Sequence, residues 1–336
     1  MVAAAVAAVA VVAAVEFVLD NPMSHPLIEI RGLTKIYHVG VETIHALRGV
    51  DFDLFQGEMV AIMGASGSGK STLMNTLAGL LEPTSGSVTL DGADIVKDPR
   101  IVRRQLGYLP QDFGFFPDLT GLRMLELMLK LKGVDGPGGR RKIAEALLER
   151  VNLSRAAKRK VSGYSGGMRQ RLGLAQAIAG NPRLVIVDEP TAGLDPEERH
   201  RFYRLLAELA KNRIILLSTH IVEDVATLCP RMGVIQSGRL VADTSPSAAR
   251  AAIDGHMFEG FIPDDQLDEF ARNHMMTSAI LSEGSTNRVR VHAPAGTGAP
   301  AGFVVSPATL EDAYLVLIRS ARAVENAAAA NAGVAA

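Results

Sequence analysis

The sequence predicts an α/β fold built on a mainly parallel sheet. Three observations carry that expectation. From Ile28 to about Val241, short β-rich runs alternate with helical stretches, the order that builds parallel sheets. The runs at 184–187 and 214–217 are wholly apolar, as expected of strands buried on both faces. The chain has 336 residues, 48% of them hydrophobic and 21% charged, enough for about two domains with full cores.

At the amino end, residues 2–15 are only Ala and Val, and Glu16 follows. A secretory leader needs a positive start, yet no Lys or Arg precedes Arg31. A spanning helix needs about 20 apolar residues, and Glu16 interrupts this run. Residues 1–22 are therefore expected to be an Ala/Val-rich leader, from a start codon placed too early or disordered, with a membrane-touching segment as the alternative. Met23 then opens the folded chain.

Strands are expected at 27–37, 50–54, 59–63, 105–109, 184–187 and 214–218, and helices at 70–80, 121–132, 140–151, 166–179 and 196–210. Thr120 suits an N-cap and Gly133 a stop for the second helix. The tract 121–162 is helical and lies between strand-bearing regions, so it reads as an insertion into the sheet domain. Beyond about Ser245, strands at 257–262 and 288–292 flank a helix at 264–274, and a last helix is expected at 308–319. The Ala-heavy tail at 321–336 is expected to fray.

Composition removes several functions. Lys+Arg 35 against Asp+Glu 36 leaves a net charge of -1, without the basic excess of a nucleic-acid binder. One cysteine, Cys229, allows neither an internal disulfide nor a cysteine zinc site, which fits a reducing intracellular setting.

Gly64, Ala65, Ser66, Gly67, Ser68, Gly69, Lys70, Ser71 and Thr72 directly follow the strand run 59–63. Such a loop curls its amides inward around phosphate oxygens, and the helix opening at Lys70 adds its positive end. Lys70 would reach the β- and γ-phosphates, and Ser71 would offer its hydroxyl to magnesium. At the C-terminal end of the 184–187 run stand two adjacent acids, Asp188 and Glu189, where ligands of parallel sheets bind. Asp188 would hold magnesium through its water shell. Glu189 would polarise the attacking water as general base.

With these motifs the chain resembles the ATPase subunits of ATP-binding-cassette (ABC) transporters. Residues 161–171, Val-Ser-Gly-Tyr-Ser-Gly-Gly-Met-Arg-Gln-Arg, look like that family's signature segment. The resemblance implies that Ser165, Gly166 and Gly167 clasp the ATP bound by a partner cassette, so that two chains sandwich two ATP–Mg2+. Met168 and Tyr164 depart from the family's usual Gln and Leu. The resemblance further implies a sensing role for Gln111 on magnesium and the attacking water, contact of His220 with the γ-phosphate, communication across the dimer at Asp195, and stacking of Tyr37 on adenine.

The family likeness implies a P-loop NTPase of ABC type: residues 23–245 as the ATPase domain, with a β subdomain and a helical subdomain at about 112–165. Residues 246–320 follow as a small α+β appendage. Residues 306–315 resemble the closing segment of cassettes that drive exporters with separately encoded membrane subunits. The implied partners are a transmembrane permease and a second cassette, with no nucleic acid, at the cytoplasmic face of the membrane. Phe113, Phe115 and Phe116 crowd the segment after Gln111, and an exposed patch there would dock a helix of the permease. The rivals are an importer subunit, a soluble cassette acting on nucleic acid or ribosomes, and a regulatory module that binds ATP without hydrolysing it.

Overall fold

The computed structural model describes residues 25–334 apart from 112, 113, 192 and 283, so the expected leader lies outside the described residues. Strands β1 (Ile28–Val39) and β2 (Glu42–Leu54) form an antiparallel hairpin that pairs Tyr37 with Ile44. Next come β3 (Met59–Met63), α1 (Lys70–Leu77), β4 (Ser85–Leu90), β5 (Ala93–Asp94), α2 (Pro99–Arg103) and β6 (Leu106–Leu109). Helices α3 (Gly121–Leu131), α4 (Gly139–Arg150) and α5 (Gly166–Ala177) follow. The domain continues through β7 (Leu184–Asp188), α6 (Pro196–Ala210), β8 (Ile214–Thr219), α7 (Val222–Leu228), β9 (Arg231–Gln236), β10 (Arg239–Thr244) and α8 (Pro246–Ala251). The appendage holds β11 (Met257–Pro263), α9 (Leu267–Asn273), β12 (Met275–Ser282), β13 (Thr286–His292), β14 (Val304–Val305) and α10 (Leu310–Val334).

The central sheet has the order β10-β9-β3-β8-β7-β6, parallel except for β10 at one edge. The apolar runs of β7 and β8 lie in its interior, where alternate residues serve two different cores. Val185, Val187, Ile215 and Leu217 face the core shared with the helical subdomain. Leu184, Ile186, Ile214 and Leu216 face the core under the antiparallel sheet β2-β1-β4-β5. Full burial of each such side chain contributes about 2 kcal/mol. The strands are therefore fixed along their length, and their C-terminal ends become rigid mounts for Asp188, Glu189 and His220.

Thr120 caps α3 by accepting from Arg123 N at 3.3 Å, and Gly133 takes the left-handed φ of 68° just past the helix end. Two expectations need correction. Strand β2 starts at Glu42 rather than at 50, drawn out by its pairing with the whole of β1. The tail expected to fray is helical as far as Val334, because alanine is the residue that loses least on entering a helix. Helix α10 also returns to the sheet domain and packs on α7, α8, β9 and β10. Among the described residues no helix is long and apolar enough to cross a membrane.

Candidate functional site

The glycine-rich loop between β3 and α1 has a shape only glycine permits at two points. A Cβ on Gly64 would lie 2.4 Å from both Ile235 O and Ser68 Oγ. Gly69 has φ 110°, and a Cβ there would meet Ala46 O at 2.5 Å. As N-cap, Gly69 supplies no side-chain acceptor, so the first-turn amides of α1 keep their capacity for an anion. Lys70 is buried, and its Nζ donates to the carbonyls of Gly64 at 2.7 Å and Ala65 at 3.0 Å. Burial lowers its pKa below the ordinary ammonium value, while the charges of Glu189 and Asp188 act the other way.

Beside this loop β7 delivers its two acids. Burial, reinforced by the neighbouring charge of Glu189, pushes the Asp188 carboxyl above the usual carboxylate range against the opposing pull of Lys70. Glu189 turns sharply, with the left-handed φ of 45°, and its N–H donates to Ser218 O at 2.9 Å. That turn leaves its carboxylate between two expected site residues. Gln111 Nε2 donates to Oε2 at 3.3 Å, and His220 Nδ1 lies 3.0 Å from Oε1. An ionised carboxylate only accepts, so Nδ1 carries the proton in this contact. The opposite ring nitrogen, Nε2, is then left for another partner.

A cleft of about 710 Å³ joins these parts. Tyr37, Ala65, Ser66, Gly67, Gly69, Lys70, Ser71, Thr72, Gln111, Glu189 and His220, all expected from the sequence, line it. Gly64 and Ser68 lie beneath it as framework, their atoms packed on each other. Three lining residues were not anticipated: Ile44, His45 and Ala46. They come from β2 across the hairpin. A turn at Gly40 puts residue 44 opposite Tyr37, and that pairing was the available signal.

The signature segment lies elsewhere. Ser165, Gly166 and Gly167 are not among the described residues lining the cleft. Ser165 caps α5 through Oγ, which accepts from Met168 N at 3.2 Å. The Cα of Gly166 faces open space, whereas a Cβ on Gly167 would strike the Glu198 carboxylate at 2.4 Å. Tyr164, the departure from the usual Leu, is a core residue whose hydroxyl donates to Ala156 O at 2.9 Å. Asp195 caps α6 by accepting from Glu198 N at 2.8 Å. Glu198 in turn pairs with Arg171 at 2.7 Å, which ties the start of α6 to α5.

The donors fit magnesium, which takes oxygen ligands and completes its shell with water and phosphate. Ser71 contributes a hydroxyl, Asp188 a carboxylate and Gln111 an amide oxygen. Among the described residues no group of three or more His, Cys, Asp or Glu could hold a metal by itself. The phenylalanine patch divides. Phe113 lies outside the described residues, Phe115 packs partly buried on the helical core, and Phe116 is 58% exposed.

Comparison with known proteins finds ABC transporter proteins and ATP-binding cassettes among the matches. The family model described as "ABC transporter" matches residues 47–192. The Nod factor export ATP-binding protein I of Paraburkholderia xenovorans is 34% identical over 88% of this chain and 98% of its own length. The methionine import ATP-binding protein MetN of Corynebacterium diphtheriae is 37% identical over 65% of this chain and 66% of its own. ABC transporter A family member 8 of Dictyostelium discoideum is 34% identical, and this chain spans only 27% of that protein's length. Among solved structures, a dimeric post-hydrolysis state of the ATP-binding cassette MJ0796, bound to ADP and Pi, matches with a TM-score of 0.60. It is 33% identical and covers 65% of this chain and 98% of that one.

Proposed function

This chain belongs to the ABC transporter ATP-binding family, and from that premise we propose that it hydrolyses ATP as one half of a cassette dimer that drives export through a separate membrane permease. The observation that carries the reading is the Glu189 carboxylate, held between Gln111 and His220 in the cleft that also contains Lys70. In this reading the amides of the glycine-rich loop and Lys70 bind the β- and γ-phosphates, and Tyr37 with Ile44 forms the face toward adenine. Ser71, Asp188 and Gln111 would hold magnesium, which when bound draws charge from the phosphate oxygens. Glu189 takes a proton from water as that water's oxygen bonds to the γ-phosphorus. The bond from that phosphorus to the ADP oxygen breaks, giving ADP and inorganic phosphate. His220, its Nδ1 proton engaged by Glu189, turns Nε2 toward the charge developing on the γ-phosphate.

The separation of Ser165, Gly166 and Gly167 from the cleft of the same chain supports a dimer in which each copy clasps its partner's ATP, with Asp195 near that junction. Export is favoured over import because the export relative aligns along 98% of its length, including the region beyond the ATPase domain. Location at the cytoplasmic face of a membrane follows from the permease partner.

Glu189→Gln keeps the shape of the carboxylate and removes the base. The expected result is ATP binding within about twofold of the parent, turnover lowered at least about 100-fold, and ATP-dependent dimers visible by size-exclusion chromatography. Unchanged phosphate release would remove Glu189 as base. Absence of release from the parent chain would remove the function itself. Phe116→Glu tests the docking patch: with the permease present, transport should fall while basal hydrolysis holds. Transport at the parental rate would show that the permease does not dock at Phe116.

A further inference from the structure

Outside the cleft, one buried acid has no part in the chemistry described so far. Asp224, on α7, is 0% exposed. Its carboxylate accepts three hydroxyl hydrogen bonds from three different parts of the fold. Thr191, just past Glu189, and Thr219, just before His220, both donate to Oδ2, the latter at 3.2 Å. Tyr203 of α6 donates to Oδ1. Thr219 is used twice, since its Oγ1 also accepts from Ile221 N at 3.0 Å and so closes the turn around His220. A buried carboxylate is costly unless its lone pairs are met, and these three hydroxyls meet them.

We propose that Asp224 is a positioning residue for hydrolysis, a clamp that holds the Glu189 loop, the His220 loop and α6 in one register. The inference rests on the catalytic reading of Glu189 and His220 given above. Glu189 and His220 each stand one residue past a strand, β7 and β8, where the chain leaves the sheet. Between β7 and β8 the register ends at Asp188 and Ser218, with Glu189 N–H still bonded to Ser218 O and Thr219 still paired with Met63 of β3. Beyond it, the 3.0 Å contact between the two side chains depends on what holds the loops together. Asp224 bonds on each side, to Thr191 in the loop after β7 and to Thr219, the last residue of β8. Its third tie runs to α6, whose first residue follows Asp195, so the clamp also joins the pair to the segment facing the second copy. Burial, followed by the bond to Asp224, pushes the Tyr203 hydroxyl far above its ordinary pKa, so it remains a donor at every working pH.

A positioning role separates from a merely structural one by where the loss falls. Asp224→Asn should lower kcat at least about tenfold with KM for ATP within about twofold, because the phosphate loop is not touched. Thr219→Val should reproduce the kcat loss, and Thr219→Ser, which restores the hydroxyl, should return kcat to within about twofold of the parent. Parental kcat in Asp224→Asn or in Thr219→Val overturns the proposal, as does a Thr219→Ser enzyme no better than Thr219→Val. Should Asp224→Asn fail to fold, Thr191→Val, whose hydroxyl bonds to Asp224, decides instead: a kcat loss with KM kept supports the clamp and parental kcat overturns it. A parent chain without ATP turnover would count against the catalytic reading instead.

Discussion

Two cations of this molecule, Lys70 buried and Arg290 half-buried, stand in opposite situations. Lys70, in the ATPase domain, donates to carbonyls of its own loop, and burial holds its pKa down. Arg290, in the appendage, has partners of both charge and shape. Its Nη1 donates to Glu259 at 3.0 Å and Ser306 Oγ at 2.7 Å, and its Nη2 to Asp312 and to Pro307 O, each at 2.7 Å. The bond to Asp312 chiefly raises the arginine's pKa, although burial opposes it. Asp312 is also locked from the other side, because its N–H donates to Thr309 Oγ1 while its carboxylate accepts from Thr309 N, a capping box at the head of α10. The contrast teaches a distinction of purpose: a cation kept for a ligand is held weakly by its protein, and a cation kept for the fold is held on every side.

Substitution of each cation tests that distinction. Lys70→Ala should cause the largest change, with ATP binding and phosphate release both falling below detection. Its melting temperature should stay level or rise, because a buried ammonium is lost together with its desolvation penalty. A sharp drop in melting temperature would give Lys70 a structural share and break the contrast. Arg290→Met should do the reverse. It strips the partner from Asp312 and Glu259, at a cost of about 3 kcal/mol in denaturant unfolding, with kcat and KM for ATP close to the parent. A loss of turnover greater than the loss of folded protein would tie the appendage into the catalytic cycle.

The same difference governs what could be read from the sequence. Phosphate chemistry demands contiguous residues, so the loop from Gly64 to Thr72 and the acids at the end of β7 stand out in one dimension. Burial on both faces made β7 and β8 legible as unbroken apolar runs. Features assembled from distant pieces left no such trace. Ile44, His45 and Ala46 reach the cleft only through hairpin pairing, and Asp224 finds Thr191, Tyr203 and Thr219 only after three elements have packed. Strand β12 was missed because it lies at a sheet edge, with residues 279–282 exposed and little alternation to betray it. The phenylalanine cluster was visible, but a loop has no period to say which ring turns inward. Phe115 does, and Phe116 does not.

A smaller effect sharpens the comparison from within the appendage. His292 lies on β13 with Met257 and Met275 paired on either side. Burial, followed by the nearby His256, lowers its pKa to about 4, while Asp312 opposes the shift. The unfolded chain takes up a proton near the ordinary value of 6.5, but the folded chain resists it until about 4. Stability is therefore complete above the ordinary value, falls as pH drops from 6.5, and stops falling for this reason below about 4. Between pH 7 and pH 5 the loss from this one residue is about 2 kcal/mol. His292→Phe keeps an aromatic ring in the site and removes the proton. Denaturant unfolding at the two pH values should then differ by about 2 kcal/mol less in the variant than in the parent. An unchanged difference would mean that the imidazole takes up its proton alike in the folded and unfolded chains, so that burial of His292 contributes nothing to the pH dependence of the appendage.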